Sequence, residues 1–298
     1  RIGCHMSHDT LYRGTIHNDQ FRLFAVDCTA TVQQARDLHD LSPLPSILLG
    51  RLICAAALMS GELKAPRAEL SLRVQGDGPL QGAIALADKE GNIKAYAYEP
   101  KLWLEPASEN LQVGKNLGKG IMTIMRQSGL KTLYNGHIEL VSGEIAEDLA
   151  HYYQQSEQIA SAVNLGVLIN QEARICAAGG FMIQQMPFAD PAIAETINQN
   201  LHHTPNVSDL MDMGMSLPDI LGKFVLRGVD YRVTNDTEVR YHCNCSKDRF
   251  ARALMLLERA ELEEMREGIT PLCHYCSKSY HFTCEEIADI ITALEVPK

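Results

Sequence analysis

Four cysteines carry the clearest chemical pattern in the chain: Cys243-Asn-Cys245 and Cys273-His-Tyr-Cys276, a C-x-C and a C-x-x-C within 34 residues. Two close pairs separated by 27 residues can converge to present four thiolates in a tetrahedron, the arrangement zinc takes in structural sites. Four thiolates leave no open position for water or substrate, which speaks against hydrolytic zinc chemistry. A tetrahedral sulfur site also admits iron, but zinc is the commoner occupant. His242, His274 and His281 are near enough in sequence to compete as ligands, yet the sulfur set is complete without them. Metal-bound thiolates stay deprotonated and so remain open to peroxide or hypochlorous acid. A disulfide within C-x-C would close a small strained ring, and strained disulfides are the labile, regulatory kind. The pattern points to a redox switch and not to a catalytic centre.

The other five of the nine cysteines (Cys4, Cys28, Cys54, Cys176, Cys284) are scattered, and the total is odd. That fits a reducing cytosol and a metal better than a secreted disulfide framework. Arg1 to Gly14 has no apolar stretch behind a basic run, so no secretory signal is expected. The most apolar segment, Ile47 to Met59, contains Arg51 and is too short to span a bilayer. It is expected as a buried helix of a soluble, cytoplasmic protein with no membrane partner. With 27 Lys+Arg against 37 Asp+Glu, the net charge of −10 argues against nucleic acid as the main partner.

The elements that position these cysteines are expected as an α+β fold: an N-terminal mixed core over 1–187, a segment over 188–240 and a small C-terminal module over 241–298. Leu11 to His17 and Phe21 to Asp27 read as strands around a turn at Asn18 and Asp19. Thr29 is expected to cap a helix over Ala30 to His39, and Ser42-Pro43 to open another through Gly61. Glu69 to Gln75 and Ile93 to Tyr98 alternate as half-buried antiparallel strands. A helix over Ile145 to Gln155 precedes strands at Val163 to Ile169 and Arg174 to Ile183, the latter interrupted by Gly179-Gly180.

From Asp190 the texture changes. Pro191 opens a polar helix to Asn200, and the stretch to Gly228 is rich in Leu, Met, Pro and Gly, with Leu210, Met211, Met213, Met215, Leu217, Ile220, Leu221 and Phe224. Two short helices packed on the first domain account for it, and helically spaced apolar stripes are usually core. An adaptable surface that can be uncovered also accounts for it, since methionine suits promiscuous contacts. In the last module, Ser246 caps a helix with Phe250, Ala253, Leu254 and Leu257 on one face. Pro271 to Tyr280 forms a tight turn, Tyr280 and Phe282 alternate as a strand, and Thr283 with Glu286 boxes a final helix through Leu294. The 58 residues of 241–298 have too few large apolar side chains to hold a fold unaided. Zinc would supply ~10–16 kcal/mol of folding energy there, as much as the ~5–15 kcal/mol net stability of an ordinary domain.

The string Cys243-Asn-Cys-Ser-Lys-Asp-Arg-Phe250, with Cys273-His-Tyr-Cys276 followed by Tyr280 and Phe282, resembles the zinc module of the thirty-three kilodalton heat-shock protein family of redox-regulated, ATP-independent holdase chaperones. Upstream, Gln75-Gly-Asp-Gly-Pro79, Ser142-Gly-Glu-Ile-Ala146, Ser156-Glu-Gln158 and Ala178-Gly-Gly-Phe-Met-Ile-Gln-Gln-Met-Pro187 resemble its N-terminal domain, in the family's order. The resemblance implies that the reduced, zinc-bound form is inactive. It implies that oxidation pairs Cys243 with Cys245 and Cys273 with Cys276, that zinc leaves, and that the module and a metastable linker (188–240) lose structure. The exposed apolar surface would then hold unfolding client proteins, and the oxidised form would be a homodimer. Cys284 lies outside the family's four-cysteine pattern: an idle thiol or an off-pathway oxidation partner. Two rivals are a thiol-disulfide oxidoreductase using Cys273 and Cys276, which lacks a thioredoxin-like context here, and a zinc-ribbon nucleic-acid binder, which lacks a basic face.

Overall fold

Period-two alternation of apolar residues builds two sheets in the first of two structural units, which meet between His242 and Cys243. The computed structural model describes residues 8–104, 112–128 and 131–293; Cys4 and Leu294 lie outside them. The first unit runs β1 (Thr10–Ile16), β2 (Phe21–Asp27), α1 (Thr29–His39), α2 (Pro43–Ser60), β3 (Ala68–Gly76), β4 (Gly82–Asp88), β5 (Asn92–Ala97), α3 (Val113–Leu117), β6 (Gly120–Ser128) and β7 (Lys131–Glu139). It continues with α4 (Ala146–Tyr152), a π turn (Tyr153–Glu157), β8 (Ser161–Ile169), β9 (Ile175–Gln185), α5 (Pro191–His203), α6 (Val207–Asp212), α7 (Leu217–Ile220), a second π turn (Leu221–Val225), β10 (Tyr231–Glu238) and β11 (Arg240–Tyr241). One sheet has the order β10-β1-β2-β9-β8 and the other β11-β5-β4-β3-β6-β7. All pairings are antiparallel except β11 on β5.

The apolar segment around Ile53 is α2, and it lies between the sheets. It extends five residues beyond the expected core of Ile47 to Met59, so by length and composition it could cross a membrane. Sixteen of its 18 residues are buried in this core, against Leu70, Leu72 and Val74 on one side and Val26 and Met182 on the other. The close approach suits the buried Ala83, Ala85 and Ala87 of β4 (Gly-Ala-Ile-Ala-Leu-Ala-Asp), which is a strand despite its alanines because β3 and β5 pair with it on both sides. Local propensity alone would read it as helix.

Several local expectations are corrected by tertiary contacts. Thr29 is the first residue of α1 and not its cap; Asp9, twenty residues upstream, accepts from the N–H groups of Ala30 (3.1 Å) and Thr31 (2.6 Å). Gly179 and Gly180 do not interrupt their strand. They let β9 run unbroken where a Cβ would strike the Val26 carbonyl at 2.5 Å or the Asn164 carbonyl at 2.1 Å. Helix α4 ends in a π turn, and Asp148 beneath it is fully buried, accepting from the backbone N–H groups of Val141, Ser142, Gly143 and Ile145.

Residues 188–240 form a second apolar core on the outer face of the first sheet. Leu217, Ile220, Leu221 and Val225 pack on Leu23, Phe181 and Ile183. Strand β2 is therefore apolar on both faces (Leu23 and Ala25 outward, Phe24 and Val26 inward). The segment also supplies β10, which no sequence expectation anticipated, paired along the whole of β1. Leu221 is fully buried. Replacing it with Ala should cost ~2–5 kcal/mol and speed hydrogen exchange across residues 191–225 while α2 stays protected. Equal loss in α2 would mean that the two cores melt as one.

Candidate metal centre

The second unit contains α8 (Lys247–Leu254), α9 (Arg259–Glu264) and α10 (Cys284–Ala293). Its fully or largely buried apolar side chains are Leu254, Leu262, Phe282, Ile287, Ile290 and Ile291. Helix α8 begins where the Ser246 hydroxyl accepts from the Arg249 N–H at 3.3 Å. Its apolar face is Phe250, Leu254 and Leu257, with Ala251 in place of the expected Ala253, which is exposed. At the other end Thr283 and Glu286 form the anticipated box: Glu286 accepts from the Thr283 N–H at 3.0 Å, and the Thr283 hydroxyl from the Glu286 N–H at 3.3 Å. Lys247 bridges the two helices, 2.5 Å from the Glu286 carboxylate and over the Phe282 ring.

The cysteines are brought together by a turn and a loop. Between the bridges Ile269–Phe282 and Leu272–Ser279, the chain reverses at Cys273–Ser277. The N–H groups of Cys276 and Ser277 donate to the Cys273 carbonyl, the Cys273 N–H donates to Lys278, and Ser277 takes a positive φ of 54°. Both sulfurs of C-x-x-C thus project from one knuckle toward Cys243 and Cys245, which precede α8. All four Sγ atoms lie within 4.8 Å of one another. The Cys243–Cys273 sulfurs are 3.7 Å apart and those of Cys245 and Cys276 are 3.2 Å apart. A tetrahedron of thiolates ~2.3 Å from zinc has edges of about 3.8 Å, so the set fits such an ion after shifts of no more than about 1 Å in any sulfur–sulfur separation. Among the described residues no other group of three or more His, Cys, Asp or Glu side chains converges in this way. His281 engages Thr270 at 3.0 Å through Nδ1.

The thiols differ in character. Burial and hydrogen bonding with its neighbours raise Cys243, and burial pushes Cys276 up to about 12. Burial also raises Cys245, but hydrogen bonds from the Tyr280 hydroxyl and from the Cys276 and Cys243 thiols outweigh it and bring it to about 7. Tyr280, which the sequence reading placed as a strand position and quoted in the resemblance but not as part of the centre, contacts Cys245. Its hydroxyl is 3.1 Å from the Cys245 sulfur and 3.1 Å from the Cys245 carbonyl, and its ring packs on Phe250. Its place four residues beyond the C-x-x-C motif is the signal that could have found it.

The remaining singled-out residues lie elsewhere. Of the apolar candidates between 210 and 224, Leu210, Leu217, Ile220 and Leu221 are buried, Met211, Met215 and Phe224 are half-buried against the same core, and Met213 is exposed. Cys28 and Cys54 are buried in the first unit, Cys176 is half-buried, and Cys284 is exposed at the start of α10.

A family model described as Hsp33 protein matches residues 9–283. The 33 kDa chaperonin of Symbiobacterium thermophilum is 39% identical over 286 residues, covering 95% of this chain and 97% of the relative. That of Agathobacter rectalis is 37% identical over 290 residues, covering 95% and 99%. The crystal structure of the 33 kDa chaperonin (heat shock protein 33 homolog) from Thermotoga maritima matches with a TM-score of 0.84 at 31% identity, covering 96% of this chain and 99% of that one.

Tyr280→Phe removes the hydroxyl that sits 3.1 Å from the Cys245 sulfur and should speed release of a bound metal ion from reduced protein to a chelator. An unchanged release rate would mean that this hydroxyl does not help to hold the sulfur in place.

Proposed function

The chain belongs to the Hsp33 family, and from that premise we propose that it is a redox-regulated, ATP-independent holdase whose switch is the four-cysteine centre. Its relatives are chaperonins by name, and chaperone activity follows from the family. The redox reading rests on one observation: four sulfurs within 4.8 Å of one another in a unit whose described residues bury only six apolar side chains.

Zinc, held by Cys243, Cys245, Cys273 and Cys276, would keep four thiolates deprotonated and cross-link the knuckle to the start of α8. Peroxide then takes two electrons from each pair of thiolates, giving two disulfides while its oxygens leave as hydroxide or water. The family resemblance assigns the pairs as Cys243–Cys245 and Cys273–Cys276. Any disulfide draws two sulfurs to ~2.05 Å, well inside the 3.2 and 3.7 Å separations seen here. Oxidation therefore destroys the tetrahedral set, and the ion's contribution to folding is lost with it. The unit from 243 onward unfolds, the 188–240 linker loses the folded domain that follows it in the chain, and Leu210 to Phe224 leave the outer face of the first sheet. The uncovered surface holds unfolding proteins, and the oxidised form associates as a homodimer. The work is done in a reducing cytoplasm, where oxidation is a stress signal.

Two measurements test this reading. In reducing buffer the protein should carry one zinc per chain; Cys243→Ser should lower that occupancy and Cys176→Ser should not. Peroxide-treated protein should suppress light scattering by a heat-labile client while zinc-loaded, reduced protein does not. Equal suppression by both forms would remove the redox switch and leave only the chaperone.

A further inference from the structure

The strands at the ends of the two sheets differ in how they guard their free edges. β10 carries Arg232, Asp236 and Glu238 and slips register on β1 between Arg13 and Gly14. β7 carries His137 and Glu139, and β11 is two residues long. Charges, bulges and short length are how proteins stop an edge from pairing with another chain. β8, the outermost strand of the first sheet, has no charge and no proline over nine residues (Ser-Ala-Val-Asn-Leu-Gly-Val-Leu-Ile), each of them half-exposed. Its single register shift is at its last residue.

The hydrogen-bond phase of β8 follows from one contact. The Gln185 N–H donates to the Ala160 carbonyl at 2.9 Å. Alternation in an antiparallel pair then commits residues 162, 164, 166 and 168 to β9 and turns the N–H and C=O groups of Ser161, Val163, Leu165 and Val167 away from it. The other side of β9 agrees: the Met186 N–H donates to Gln20 at 2.9 Å and the Cys28 N–H to Ala178 at 2.8 Å, so its even residues bond β2 and its odd ones bond β8. Among the described residues nothing pairs with those four amides.

We propose that this edge takes an extended apolar segment of an unfolding polypeptide as an added strand; the proposal rests on the chaperone reading above. Main-chain bonds read no sequence, which suits a protein that must hold many clients, and side-chain pockets supply the remaining affinity. Such a pocket adjoins the start of the strand. A cavity of about 150 Å³ lies beside Ser161 and Ala162, with Phe21 and Ile183 on its floor and Ala194 and Ile197 of α5 as its roof. A space of ~150 Å³ admits a benzene-sized group. When α5 leaves the sheet, the floor remains as an apolar surface continuous with the edge. The edge is thus present in both redox forms, and its apolar flank is uncovered by oxidation.

The test uses full-length, peroxide-treated protein and carboxymethylated, permanently unfolded lysozyme, with amide hydrogen exchange resolved across residues 159–170. Binding should slow exchange at Ser161, Val163, Leu165 and Val167 by about tenfold or more. Val163→Pro removes one outward amide and no bond to β9, and it should weaken binding about fivefold. Asn164→Lys keeps every amide and places a charge on the strand; it should weaken binding similarly and decides the matter if the proline variant does not fold. Bound lysozyme with unchanged exchange in β8 overturns the edge site and leaves the chaperone reading standing. Absence of lysozyme binding in any form overturns the chaperone reading, and the edge proposal with it. Slowing that appears without lysozyme and grows with protein concentration assigns the edge to a second copy of the chain and overturns the client as occupant.

Discussion

The unit that begins at Cys243 has very little to hold it together apart from four sulfurs. Among its described residues six apolar side chains are buried, spread over two short helices, one longer helix and a hairpin. Apolar burial on that scale leaves a small domain near or below zero net stability. The convergence of Cys243, Cys245, Cys273 and Cys276 is therefore the constraint on which the rest of the proposed mechanism depends. The same thiolates that can bind a metal tightly are those an oxidant attacks first. A weaker structural dependence, such as a larger core beneath α10, would let the metal leave without consequence, and the chemistry would then report nothing.

The first unit presents the complementary arrangement. One of its sheets is apolar on both faces: inward against α2, outward against the helices between 191 and 225. The inner core contains α2 and both sheets and has no need of the outer layer. The outer layer is built from a 13-residue helix, a six-residue helix and a four-residue helix continued by a π turn, all of which would be marginal or unstable in isolation. Their stability comes from the sheet they cover. A surface held by marginal helices can be uncovered without unfolding what lies beneath, and in the proposed function that separation permits exposure without loss of the chain.

The centre was legible from residue types and spacing, because two cysteine pairs, two and three apart, form a pattern that suits a metal site. Local signals also read correctly where the partners are close in sequence: the Ser246 cap, the Thr283–Glu286 box and the turn at Asn18 and Asp19. What escaped was set by distant partners. Asp9 caps α1 across twenty residues, and β4 is a strand because β3 and β5 pair with it. β10 exists because β1 offers it an edge, and Gly179-Gly180 reads as a break until the closeness of neighbouring strands is known. Tyr280 was visible as an aromatic in a strand and in the family's string, but its hydrogen bonds to Cys245 depend on the folded knuckle.

The central claim is that the sulfur centre, and not the small apolar core, holds the last unit folded, and that the first unit's inner core is independent of it. Hydrogen exchange on reduced protein before and after removal of the metal by a chelator tests this directly. Protection should collapse across residues 243–293 while α2 and strands β3 to β6 keep theirs. Retained protection in 243–293 after complete metal removal, or equal loss in α2, would contradict the account.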